Sequence, residues 1–117
     1  MNLRHTAVVA AALFALAGVG GTAAHASGRA TTVRVTAKDY SFKLSKQTVA
    51  PGRITFAISN AGHTSHDFAI AGHHSKTISP GQTARLTVTL KAGRYPYKCT
   101  IDSHAQLGMT GILHVRS

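Results

Sequence analysis

An all-β fold, a sandwich or barrel of short strands, is the class this sequence predicts. Three observations lead there: no stretch beyond Ser27 has helical periodicity, apolar residues alternate with polar ones at period two, and glycine and proline turns break the alternation at short intervals. Val33, Val35 and Ala37 alternate with Arg34, Thr36 and Lys38 as a half-buried strand should. The phase then changes to Tyr40, Phe42 and Leu44, and a bulge or bend near Asp39 is the expected cause. Ala50-Pro51-Gly52 forms a turn, after which Ile54, Phe56 and Ile58 share a face. Periodicity is weakest across Ala61–Ser79, apart from His66, Phe68 and Ile70, so this segment is expected to cross between sheets through an irregular turn. The clearest strand follows: Ala84, Leu86, Val88 and Leu90 oppose Thr83, Arg85, Thr87 and Thr89, between Ser79-Pro80-Gly81 and Lys91-Ala92-Gly93. Tyr95, Tyr97 and Cys99 line one face of the next strand, and Gly111, Leu113 and Val115 one face of the last.

The N-terminus has the pattern of a secretory signal, residues 1–26. Arg4 and His5 are its positive start, Ala7 to Val19 its apolar run, and Ala24-His25-Ala26 its small-residue cleavage site. That run is short for a span, which needs ~20 apolar residues. The expected mature chain, 27–117, is one domain, periplasmic or extracellular, with no stable membrane insertion once the signal is removed. No cysteine lies near the cleavage site, so thiol-linked lipid attachment is not expected.

Charge is lopsided, with a formal net charge of +10 over 117 residues and Asp39, Asp67 and Asp102 as the only acids. Such a field favours acidic protein partners or anionic surfaces. Export and the scatter of the basic residues argue against nucleic acid as the partner, and three isolated acids do not supply a paired-carboxylate mechanism. Neither a serine elbow nor a phosphate-binding glycine loop occurs.

Cys99 is the single cysteine. In an oxidising compartment an unpaired thiol implies an intermolecular bridge, a reactive group or a metal ligand. Its surroundings favour the metal: His104 and Met109 follow with four residues in each gap, and His66 lies upstream. A thiolate, two imidazoles and a thioether suit a trigonal copper site with a weak axial methionine, which exchanges single electrons. In that reading Cys99 is the thiolate, His66 and His104 are in-plane nitrogens, and Met109 is the long axial contact. His63 competes with His66, but the Asn60-Ala-Gly62 turn and the alternation into Phe68 and Ile70 favour His66. Asp67 and Thr100, each next to a ligand, are expected to hydrogen-bond and hold the two segments in register. His73 and His74 on a loop, and His114 facing outward on the last strand, are expected to be solvated.

These residues resemble the cupredoxins, the small blue copper proteins. The resemblance runs over Tyr40-Ser-Phe42, Pro51-Gly52, Asn60-Ala-Gly62 leading to His66, and Pro80-Gly81-Gln82. It is most specific in Gly93-Arg-Tyr95-Pro-Tyr97-Lys-Cys99, His104, Gly108-Met109-Thr-Gly111 and Leu113-His-Val115. The gaps around His104 are similar to those of the rusticyanin and auracyanin branches, whereas plastocyanins have a shorter one. The resemblance implies a Greek-key β-sandwich of seven or eight strands with one copper near an end, held by His66, Cys99, His104 and Met109. It also implies a surface-near ligand histidine, His104, as the electron exit, rimmed by Leu107 and Ile101. Asp67 departs from the asparagine or serine often found after the first ligand.

The expected function is a monomeric, non-enzymatic carrier of single electrons between redox proteins, acidic ones among them. The alternatives are a copper chaperone or storage protein and a copper subunit of a larger oxidoreductase. Zinc would also accept this donor set, giving a redox-silent site.

Overall fold

Two sheets face each other across an apolar interior, and each is built from strands distant in sequence. The computed structural model describes residues 30–117, so the expected signal at 1–26 lies outside the described residues. The strands are β1 (Ala30–Lys38), β2 (Ser41–Leu44), β3 (Thr48–Val49), β4 (Gly52–Asn60), β5 (Ala69–Ile70), β6 (His73–His74), β7 (Thr83–Leu90), β8 (Gly93–Lys98) and β9 (Thr110–Val115). Three of the nine are two-residue pairings, which reconciles them with the expected seven or eight. A short 3-10 turn spans Ala105–Leu107.

One sheet has the order β2-β1-β4-β7 and the other β3-β9-β8-β5-β6. The pairs β1/β4 and β3/β9 are parallel and the rest antiparallel. Parallel neighbours cannot be joined by a tight turn, so the chain passes from sheet to sheet between them. Ala61–Ser79 makes one such passage, as its weak periodicity implies: Asn60 ends β4 in the first sheet and β5 begins in the second.

Period-two alternation works here because only one face of each sheet is buried. Val33, Val35, Ile54, Phe56, Ile58 and Val88 of the first sheet meet Ile70, Tyr97, Leu113 and Val115 of the second. Phe42, Phe56, Phe68 and Tyr97 form an aromatic cluster with ring centroids 4.9–5.9 Å apart, mixing edge-on and tilted contacts. Gly111 lies opposite Tyr97, whose ring occupies the space a Cβ would need.

One sequence expectation is corrected. The phase change near Asp39 is a reversal of the chain and not a bulge: Lys38 pairs with Ser41, so Asp39 and Tyr40 form a two-residue hairpin turn. A turn of even length keeps the apolar sets of both strands on the inner face, with Ala37 opposite Phe42 and Val35 opposite Leu44. This turn sits at the end of the sandwich that carries the site.

Candidate metal centre

Cys99 follows directly on β8, and the chain returns to β9 through His104, the 3-10 turn and Met109. The loop closes at its base, where the Cys99 N–H donates to the Met109 carbonyl at 3.1 Å. Within it the His104 N–H bonds the Ile101 carbonyl (3.1 Å), and the His104 carbonyl accepts from Leu107 (3.0 Å) and Met109 (3.2 Å). Gly108 ends the turn at φ 118°, in a region that disfavours side chains.

His66 arrives from a stretch of the chain distant in sequence, the crossing after β4. Its backbone exchanges two hydrogen bonds with Ile78, at 3.1 and 2.7 Å. The turn before it is held by the buried side chain of Asn60, which accepts from the Gly62 N–H and donates to the carbonyls of Thr64 and Ile78, each at 2.8 Å. The Asn60-Ala-Gly62 signature is therefore an Asx turn that aims the ligand segment.

These two segments bring the donors of His66, Cys99 and His104 to one point, all within 4.8 Å of one another. The two Nδ1 atoms are 3.2 Å apart, and Cys99 Sγ lies 3.9 Å from that of His66 and 3.6 Å from that of His104. Bonds of ~2.0–2.3 Å to a shared ion hold planar donors ~3–4 Å apart, so the spacing fits one metal. Met109 is fully buried and clusters with Cys99 and Ala37, which brings the fourth expected residue to the same place.

The protonation pattern also fits a cation. His66 Nε2 lies 2.7 Å from Asp39 Oδ1, so this nitrogen carries the proton and Nδ1 presents its lone pair to the centre. Asp39 is held at a pKa of about 2, below the usual 3.8. The His63 N–H bond (2.9 Å) is the main cause, burial opposes it, and His66 and Thr64 add to the lowering. Burial pushes the Cys99 thiol up, against the N–H groups of Asp67 and Ile101, which favour the thiolate. Two imidazole nitrogens and a desolvated thiol with amide donors around it, converging on one point, are a site that a soft cation completes.

Asp67 and Thr100 tie the segments together as expected. One Asp67 oxygen accepts the Thr100 N–H at 2.6 Å, and the other accepts the Thr100 hydroxyl at 2.5 Å. Asp67 is buried, at 4% exposure. His63 stays exposed and contributes its backbone N–H to Asp39, not its ring to the centre. His73, His74 and His114 are exposed and lie outside the donor group.

Three residues named in the sequence have roles at the site that it did not disclose: Asp39, Tyr40 and Gly62. The Tyr40 ring lies against His104 with centroids 4.8 Å apart and edge-on to His66 at 6.3 Å. It caps the histidine expected near the surface, which is only 6% exposed. Gly62 is required by close approach, since a Cβ there would collide with Asp39 Oδ1 and come within 3.0 Å of His66 Nε2. The available signal was that Asp39 is one of three acids and sits where the strand phase breaks.

The sequence profile of the cupredoxin-like domain family matches residues 7–110. The chain belongs to this family. Among solved structures, this cupredoxin is similar to auracyanin B, with a TM-score of 0.67 and 15% identity over 74% of this chain and 89% of that one. It is also similar to auracyanin A, described as a "blue" copper protein from the green thermophilic photosynthetic bacterium Chloroflexus aurantiacus. There the TM-score is 0.65 with 20% identity, over 75% and 100% of the two chains. A dithionite-reduced auracyanin from Roseiflexus castenholzii gives 0.60 with 17% identity, over 75% and 97%. At these identities the likeness is one of fold. No curated protein matches the chain. Family and donor set together make a single copper ion the cofactor, in a type 1 site pattern.

Proposed function

We propose that this cupredoxin is an exported carrier of single electrons, with His66, Cys99, His104 and Met109 as its copper ligands. The observation that carries the reading is the convergence of three buried donors from two separate segments, with Met109 packed beside the cysteine. Bound there, copper supplies a one-electron Cu(II)/Cu(I) couple. The protein's part is to hold its donors still through electron exchange. Asp39 fixes the His66 ring, Asp67 ties the His66 segment to the Cys99 loop, and the loop is closed by backbone hydrogen bonds. Burial of all four residues favours retention of the metal over hand-off, which supports a carrier over a chaperone. Leu107, 59% exposed on the turn after His104, supports contact with a redox partner at this end. Location in the periplasm or outside the cell rests on the signal pattern at 1–26.

The test is a visible and EPR spectrum after Cu(II) addition, for the wild type and Cys99→Ser. An intense blue charge-transfer band with narrow copper hyperfine splitting, absent from the variant and cycling reversibly with reductant, is expected. A pale spectrum indifferent to Cys99 would overturn the assignment.

A further inference from the structure

The outer face of the four-stranded sheet is an array of cations and hydroxyls. Its composition follows from register. Parallel pairing of β1 with β4 and antiparallel pairing of β4 with β7 align Arg34, Ala57 and Arg85 in one row and Thr32, Thr55 and Thr87 in the next. A third row aligns Lys43, Thr36, Ser59 and Thr83. Lys38 lies beyond it at one end, and Arg53 beyond the threonine row at the other. All five cationic side chains are exposed. No acid lies on these rows: Asp39, at the turn, has its carboxyl engaged with His66, His63 and Thr64. Neighbouring strands are ~4.8 Å apart and rows on one face ~7 Å apart, so the charges form a regularly spaced grid.

Within the grid lies a shallow depression of about 230 Å³, lined by Arg34, Thr36, Lys43, Leu44 and Ser45. Two cations and two hydroxyls there face a single small volume. The Ser45 oxygen accepts the Arg34 backbone N–H at 2.9 Å, which leaves its O–H free to donate. This is recognition chemistry for a phosphate-like anion.

We infer that this face docks the protein on anionic phospholipid, with headgroup phosphates against the grid and one seated between Arg34 and Lys43. Charge complementarity and the lack of apolar anchors choose the occupant. The rows of this face hold only Ala57 and Ala30 as apolar side chains, so it has none of the aromatic or large aliphatic anchors that centre a protein interface. It also lacks the aromatic platforms on which single-stranded nucleic acid stacks. A planar surface of fixed negative charge satisfies the whole grid at once and requires no insertion. The metal-bearing end, next to the Lys38–Ser41 turn, then lies at the border of the docked face. The inference does not depend on the ligand assignment, because none of the grid residues touches the metal donors.

The test is co-sedimentation of the copper-loaded protein, isolated as the producing cell processes it, with vesicles of phosphatidylglycerol and phosphatidylcholine or of phosphatidylcholine alone, at low and high salt. Each cation held at such a surface strengthens binding ~5-fold, so Arg34→Glu with Lys43→Glu should lose at least ~25-fold. The control pair Arg94→Glu with Lys98→Glu carries the same change in net charge on the opposite sheet and should lose far less. Arg34→Gln with Lys43→Gln gives a milder second variant if the first folds poorly, and thermal melts check both. The expected result is binding that needs phosphatidylglycerol, falls with salt, and survives inorganic phosphate matched for ionic strength. Equal loss from both charge-reversal pairs would overturn the inference, as would equal binding to neutral vesicles. So would capture by soluble heparin, an acidic protein or free phosphate without capture by vesicles.

Discussion

His66 and His104 deliver equivalent nitrogens to points 3.2 Å apart and are held there by opposite means. His66 is fixed from outside its own segment: Asp39, distant in sequence, bonds its far nitrogen, Ile78 pairs its backbone, and Asn60 braces the approach. The backbone bonds of His104 stay inside its own loop, and its ring rests against Tyr40. One ligand is a post set into the sandwich, whereas the other belongs to a short loop whose shape is local. This division lets the fold define where the metal sits while the loop governs access and closure.

Removing the metal should break the comparison most fully, because one ion would bond both histidines and the cysteine at once. With free copper at a thousand times Kd, binding stabilises by ~4 kcal/mol, so calorimetry with and without a chelator should show Tm differing by more than ~15 °C. Gly62→Ala attacks the post alone. The new methyl collides with the Asp39 carboxyl, and the chemical-denaturation midpoint should reveal a loss of ~1–3 kcal/mol together with a perturbed copper spectrum. Asp67→Ala cuts the tie between post and loop and leaves the Thr100 N–H without its acceptor, a loss of ~1–3 kcal/mol by the same measurement.

Asp39→Asn is a gentler probe of the post. Voltammetry should show a higher reduction potential, because a carboxylate bonded to His66 favours the more positive metal state. In the metal-free chain, the folded pKa of Asp39 is about 2 against 3.8, so its stabilising effect is present above 3.8 and fades as pH falls toward 2. The stability gap between wild type and Asp39→Asn should therefore narrow in acid. The smallest structural effect belongs to the loop: Leu107→Glu should change stability by no more than ~0.5 kcal/mol and spare the spectrum, while slowing electron exchange with a partner.

The loop was the part most legible in the sequence, for the same reason that it is local. Cys99, His104 and Met109 are separated by short fixed gaps, so their convergence needs only one closed loop. His66 was legible through the Asn60-Ala-Gly62 turn and the alternation into Phe68 and Ile70, and the Asp67–Thr100 tie followed because each adjoins a ligand. What fixes His66 was not legible. The hydrogen bond that Asp39 accepts from His66 depends on a hairpin read as a bulge or bend, and on an approach that Gly62 allows by having no side chain. The cationic grid was hidden for a related reason. Arg34 and Arg85 look scattered along the chain, and they align only through the register of two strand pairings.

The hydrogen bond between Cys99 N–H and the Met109 carbonyl has a consequence for how such a site can change over generations. It joins the two stems of the loop where β8 and β9 begin to pair, so residues between them can be added or removed without disturbing the sheets. Doubling the length of such a loop costs only ~0.6 kcal/mol in closure entropy. The segment from Cys99 to Met109 is thus an interchangeable cassette: its length and lining can drift to suit new partners while His66 and the sandwich wait unchanged.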